Sequence, residues 1–126
     1  MKWEYTPLLK KVGFVGFRSS QLADMRLVFE NALGLLPTDI ADDQVGYLLE
    51  DGTRLECYSE SNVFHSFFVT GPVIGFFVSD FDASCKKLNE LGIEFISEIQ
   101  EDSIQRWVHF RFGDGVVCEL MGPRRV

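Results

Sequence analysis

The sequence predicts an α+β fold built from two βαβββ units in tandem. Three observations carry this. First, Asp51-Gly52-Thr53-Arg54-Leu55-Glu56-Cys57 is restated as Asp114-Gly115-Val116-Val117-Cys118-Glu119-Leu120. In both, an Asp-Gly turn, a strong hairpin signal, leads into a short strand with a Glu inside it. Second, an apolar strand runs into an amphipathic helix twice, and each helix ends at a glycine, Gly34 and Gly92. Third, the two halves overlay. Phe14 falls on Val73, Gly34 on Gly92 and Asp51 on Asp114 at a nearly constant offset, the mark of an internal repeat.

The elements follow in order. Met1 to Lys11 is a mixed segment with Pro7, read as an arm or short edge strand. Val12 to Phe17 is a strand. Ser19 and Ser20 are candidate N-caps for a helix carrying Leu22, Met25, Phe29, Ala32 and Leu33 at helical spacing. Leu35 to Ala41 leads into a short strand that Pro37 confines to an edge or loop role. Gln44 to Glu50 and Arg54 to Tyr58 are strands joined at Asp51-Gly52. Residues 61–72 form the connection between units, with Val63 to Val69 a possible extra edge strand. The second unit spans about 73–122. Val73 to Val78 is its first strand, and Ser79 or Asp80 caps a helix bearing Phe81, Cys85, Leu88 and Leu91. Ile93 to Ile96, Gln105 to Phe112 and Val116 to Met121 are strands, with a polar connection from Ser97 to Ile104. Arg124 and Arg125 close the chain on a basic note.

Size and composition bound the function. The 126 residues make one domain with a substantial core, and 12 Phe supply much of it. A formal charge of −7 argues against non-specific nucleic-acid binding and favours neutral or cationic ligands. No apolar run is long enough for a membrane span, and the N-terminal segment lacks a signal-peptide apolar region. The 3 Cys, with no C-x-x-C spacing, argue against a disulfide framework or a structural zinc site. The expectation is a cytoplasmic protein with reduced thiols, Cys57 and Cys118 being buried.

The order of these pieces resembles the vicinal oxygen chelate superfamily, which includes glyoxalase I, extradiol dioxygenases, fosfomycin-resistance enzymes and bleomycin-binding proteins. The resemblance runs from about Val12 to Gly122. It rests on Val15-Gly16-Phe17-Arg18 leading to Ala32-Leu33-Gly34-Leu35, and on Phe77-Val78-Ser79-Asp80-Phe81-Asp82-Ala83 leading to Leu91-Gly92-Ile93-Glu94-Phe95. Phe112-Gly113-Asp114-Gly115 leading to Cys118-Glu119-Leu120 completes it. It implies one cupped mixed sheet with helices on the convex side, and a homodimer. It also implies a divalent-metal site in the cup, with a His or similar on each first strand and a Glu on each last strand. Glu56 and Glu119 match the last-strand positions. Phe14 and Val73 occupy the first-strand positions, and hydrocarbons cannot ligate. No cofactor is therefore expected. The alternative is a divalent metal on a rearranged set of Glu56, Glu119 and His109.

Strand alternation assigns faces independently. With Glu56 and Glu119 toward the cup, Arg54, Tyr58, Val117 and Met121 join them, and Leu55, Cys57, Cys118 and Leu120 face the helices. Val108, Phe110 and Phe112 form an apolar helix-side face, which sends Trp107, His109 and Arg111 into the cup. Phe14, Gly16, Val73, Gly75 and Phe77 complete the lining. The expected ligand pocket is thus Phe14, Arg54, Glu56, Tyr58, Val73, Phe77, Trp107, His109, Arg111, Glu119 and Met121. Glu56 and Glu119 have a simpler role open to them, ion pairing with Arg54 and Arg111. His109 is a candidate general base, third metal ligand or hydrogen-bonded pocket residue. His65, in the connection, is expected at the surface.

The leading functional expectation is a metal-independent protein that sequesters a small organic ligand, aromatic or cationic, in the cup. A metal-dependent lyase, isomerase or dioxygenase is the second reading. The third is a non-catalytic dimeric interaction module whose cup is filled by Phe14 and Phe77.

Overall fold

The computed structural model describes residues 7–69 and 71–124. The expected N-terminal arm lies mostly outside the described residues, as does Arg125. The elements are β1 (Leu9–Ser19), α1 (Leu22–Arg26) continued by a π-helical turn (Leu27–Ala32), β2 (Pro37–Ala41), β3 (Gln44–Leu48) and β4 (Arg54–Ser59). A 3₁₀ turn (Val63–His65) lies in the connection. The second half comprises β5 (Val73–Val78), α2 (Phe81–Glu90), β6 (Glu94–Phe95), β7 (Gln100–Glu101), β8 (Gln105–Phe112) and β9 (Val116–Pro123). This is the α+β architecture expected, with two differences. Val63 to Val69 forms a turn rather than a strand, and the polar connection after β6 contributes the short β7.

One mixed 9-stranded sheet contains every strand, in the order β2-β3-β4-β1-β5-β9-β8-β6, with β7 also on β8. The halves meet where β1 runs antiparallel to β5. Within each half the first and last strands pair in parallel, β1 with β4 and β5 with β9. The register sets Gly16 beside Glu56 and Gly75 beside Glu119. Pro37 opens β2 at the sheet edge, where a missing N–H costs no ladder bond.

The two helices start differently. Asp80 caps α2, its carboxylate accepting from Ala83 N–H at 3.0 Å. Neither Ser19 nor Ser20 caps α1. The position belongs to Gln21, which makes no side-chain cap bond, while Ser19 Oγ accepts from the Gln21 N–H at 3.0 Å. Both helices stop at a glycine with φ +77°, Gly34 and Gly92, a left-handed conformation that side chains disfavour.

Alternation along the strands divides the apolar residues into two helix-side clusters and one cup-side cluster. Val45, Tyr47, Leu55 and Cys57 pack with Phe17, Met25 and Phe29 beneath α1. Val78, Phe81, Val108, Phe110, Cys118 and Leu120 pack with Cys85 and Leu88 beneath α2. On the opposite face Phe14, Tyr58, Phe68, Val73, Val117 and Met121 form the cup floor. The π-helical turn serves the first cluster. It brings Glu30 Oε2 to 2.8 Å from the hydroxyl of Tyr47, which is fully buried, and Arg26 Nε pairs with the same carboxylate at 2.7 Å. Burial, followed by the bond to Glu30, pushes the Tyr47 phenol well above its ordinary range. The neutral phenol is thus kept as a donor. Among the described residues no helix is long and apolar enough to cross a membrane.

Candidate functional site

The concave face holds a cavity of 260 Å³. Phe14 from β1, Arg54, Glu56 and Tyr58 from β4, Trp107 from β8, and Glu119 and Met121 from β9 all reach its wall. Gln44, Phe64, His65, Gln100, Asp102 and Gln105 complete it. A second cavity, of 300 Å³, shares Arg54, Asp102, Gln105 and Met121 with the first and adds Lys11 and Phe77. An apolar floor with a few placed polar groups is the usual make-up of a small-molecule pocket.

Four residues expected in the pocket stand apart from the wall of the first cavity. Val73 is fully buried in the floor beneath it. Phe77 faces the second cavity, with Lys11 Nζ 5.8 Å from its ring centre. Arg111 points to the cup side but lies near the outer end of β8. There it pairs with Glu94 of β6 at 3.2 Å rather than with Glu119. His109 sits behind Glu119, 1% exposed.

Glu119 and His109 are direct neighbours across β8 and β9. Imidazole Nε2 lies 2.9 Å from Glu119 Oε2, yet out of line for a hydrogen bond along the ring N–H. On the other side of the ring, Nδ1 is 3.2 Å from Ser97 Oγ, which also accepts the His109 backbone N–H at 2.9 Å. Burial raises Glu119 above the ordinary carboxylate range. His109 opposes that shift, and the negative charge of Glu56 adds to it.

Glu56 is held differently. Its two oxygens accept from Arg54 at 3.0 Å and from the Tyr58 hydroxyl at 2.8 Å. Arg54 also reaches Asp39 at 3.4 Å. Burial first, then Glu56, pushes the Tyr58 phenol far up, so it remains a neutral donor. Asp102, at the cavity edge, accepts the backbone N–H groups of Ile104 and Gln105 at 2.8 and 2.9 Å. The simple pairing expected for Glu56 is therefore present, whereas Glu119 pairs with His109.

A metal site does not fit these residues. Phe14 and Val73 supply no donors. Glu56 is already bound by Arg54 and Tyr58, and Glu119 abuts His109. Among the described residues no three His, Cys, Asp or Glu side chains form a grouping that could hold a metal ion, which includes the alternative set Glu56, Glu119 and His109. The space beside the first strand is filled from within. A Cβ on Gly16 would lie 2.7 Å from both the Phe14 and Phe68 rings, and one on Gly75 would lie 2.7 Å from Phe14 Cβ. The glycines let Phe14 and Phe68 settle into the cup.

The connection contributes what residue types alone did not reveal. His65 is half-buried rather than freely exposed. Its ring stacks on Tyr58 with centroids 3.6 Å apart and planes 13° apart, at the cavity wall. Phe68 meets Phe14 and Tyr58 edge-on, and Phe67 packs against His109. The only sequence signal was the aromatic density of Phe64-His65-Ser66-Phe67-Phe68. Burial, with His109 and Arg18 nearby, pushes the His65 imidazole down to about 4.

No family model matches this chain, and neither does any curated protein. Solved structures do. Methylmalonyl-CoA epimerase from Mycobacterium tuberculosis is 23% identical with a TM-score of 0.68, over 98% of this chain and 94% of its own. A glyoxalase/bleomycin resistance protein/dioxygenase superfamily member from Vibrio splendidus 12B01 is 16% identical with a TM-score of 0.66, over 90% and 98%. The Mn(II)-bound glyoxalase from Novosphingobium aromaticivorans is 12% identical with a TM-score of 0.71, over 94% of this chain and 42% of its own. At these identities the likeness speaks to architecture. Together with the paired βαβββ halves, it identifies the chain's fold as the vicinal oxygen chelate fold.

Proposed function

We infer that this protein binds a small organic ligand in the cup without a metal. The observation that carries the reading is the cavity itself. It keeps 260 Å³ open between aromatic side chains and the Glu119 carboxyl, while the positions expected to hold a metal are hydrocarbon. The volume is near the lower end for ligand pockets, which suits a compact molecule. Phe14, Tyr58 and Trp107 provide apolar and aromatic contact. Glu56 already accepts on both oxygens from the protein and Asp102 on Oδ1, while Glu119 offers a carboxyl oxygen to a donor group. The wall carries more carboxylates than cations, which favours neutral or cationic ligands over anions. An open cavity also weighs against a working surface located only at a dimer interface. A homodimer and a cytoplasmic setting remain part of the proposal.

Titration of aromatic amines and neutral heteroaromatics, followed by Trp107 fluorescence in a Trp3→Phe variant, tests this. A saturable response that survives exhaustive chelation is expected. A panel that leaves the signal unchanged, or binding that needs an added divalent ion, would overturn it.

A further inference from the structure

Resting on the cup-binding reading, we propose that His65 occupies the seat of a planar, neutral heteroaromatic ligand on Tyr58. Ligand stacking and His65 stacking then exclude one another. The residues 62–68 form a strap across one side of the cup. Its contact with Tyr58 is face to face, 3.6 Å between centroids, whereas Phe68 meets the same ring edge-on at 81°. A planar heteroaromatic molecule would make that same face-to-face contact.

The strap is held by a small latch. Asn62 Oδ1 accepts the His65 backbone N–H at 3.2 Å and lies 2.8 Å from Nδ1. That second contact selects the tautomer with hydrogen on Nδ1 and leaves Nε2 as an acceptor. Asn62 Nδ2 donates in turn to Gln44 Oε1 at 3.2 Å, tying the strap to β3 at the cavity wall. Arg18 adds a bond to the Glu60 carbonyl at 2.8 Å. These are neutral or partly exposed interactions; Phe64 at 4.9 Å and Phe68 at 5.0 Å between centroids meet the imidazole edge-on, so the stack on Tyr58 is the face-to-face contact that a ligand would replace. The phenylalanines anchor the strap independently: Phe68 is buried in the cup floor. Release of His65 therefore leaves the rest of the connection seated. The ring being replaced is uncharged near neutral pH, which points to a neutral ligand rather than a cation.

Quinoline, planar and neutral near neutral pH, is the probe. Its affinity is measured for wild type, His65→Ala, His65→Phe and Asn62→Ala by titration calorimetry. His65 ring protons are followed by NMR in wild type. The expected result is about tenfold tighter binding to His65→Ala, the scale of losing one competing stack. Asn62→Ala should gain in the same direction, and His65→Phe, which keeps a ring in the seat, should gain nothing. Saturating quinoline should move the His65 protons downfield, out of the Tyr58 ring current. Folded His65→Ala and Asn62→Ala that bind no tighter than wild type, or His65 protons that stay upfield at saturation, would overturn the seat while leaving the cup as a binding site. Failure of quinoline to bind wild type and His65→Ala alike also overturns it. The cup reading then rests on the wider panel.

Discussion

His109 Nε2 stands 2.9 Å from Glu119 Oε2 on adjacent strands, and both residues are buried. Glu119 stands at a last-strand position that the family resemblance assigns to a metal, and His109 adjoins it on β8. Here an imidazole meets the carboxyl instead. Removing one partner leaves the other buried alone. His109→Ala should therefore cost about 3–5 kcal/mol in urea unfolding. Glu119→Gln, which retains size and polarity, should cost less. Replacing both at once by Leu should recover much of the loss. A His109→Ala variant as stable as wild type would mean that the contact carries no energetic weight.

Phe14 and Val73 give the cup its hydrocarbon character, so their replacement tests the donor argument directly. The double variant Phe14→His/Val73→His adds two imidazoles beside the strands that carry Glu56 and Glu119. It should acquire near-stoichiometric zinc or manganese on dialysis, read by elemental analysis, while wild type takes up none. Metal uptake by wild type, lost in Glu56→Gln/Glu119→Gln, would show a donor set that this geometry does not provide.

Gly75 stands directly opposite Phe14 in the β1–β5 register. An added Cβ would sit 2.7 Å from Phe14 Cβ and 3.2 Å from Met121 Sδ. Phe14 Cβ is fixed to the backbone and cannot swing away. Gly75→Ala should thus destabilise by about 1–3 kcal/mol through overpacking. Combining it with Phe14→Gly, which removes that Cβ, should cost less than the two separate losses added together, measured by denaturant unfolding.

His65 supplies the pH dependence. Its imidazole is lowered from 6.5 to about 4 by burial, with His109 and Arg18 contributing. Between those values the unfolded chain binds a proton that the native state refuses. The stability from this group is present above 6.5 and is lost as pH falls toward 4. Partial exposure reduces the effect to about 2 kcal/mol. Wild type should lose that much relative to His65→Phe across this window. Parallel pH profiles for the two proteins would contradict it.

Tyr47 tests the π-helical turn. Its hydroxyl is bonded to Glu30 at 2.8 Å in a fully buried setting. Tyr47→Phe should cost about 1.5–3 kcal/mol, the range for a hydrogen bond to a charged group. The loss should nearly vanish in a Glu30→Ala background, where the phenol has no acceptor to lose.

Much of the architecture was legible because strands and helices impose periods on the sequence. The restated Asp-Gly strand, the glycine stops and the alternation of β8 located the halves and separated cup from helix side. Alternation is local: it says that Trp107, His109 and Arg111 share a face. It does not say how far along the sheet each will lie from Glu119. That separation depends on register, which brings His109 to Glu119 and leaves Arg111 beside Glu94.

The sequence by itself determined the two βαβββ units, the apolar faces and the absence of first-strand donors at Phe14 and Val73, since each follows from residue type and short-range periodicity. Only the tertiary structure decided the pairing of His109 with Glu119 and the descent of Phe68 above Gly16. It alone stacked His65 on Tyr58. Those contacts join segments distant in sequence, and the irregular connection has no period from which they could be read.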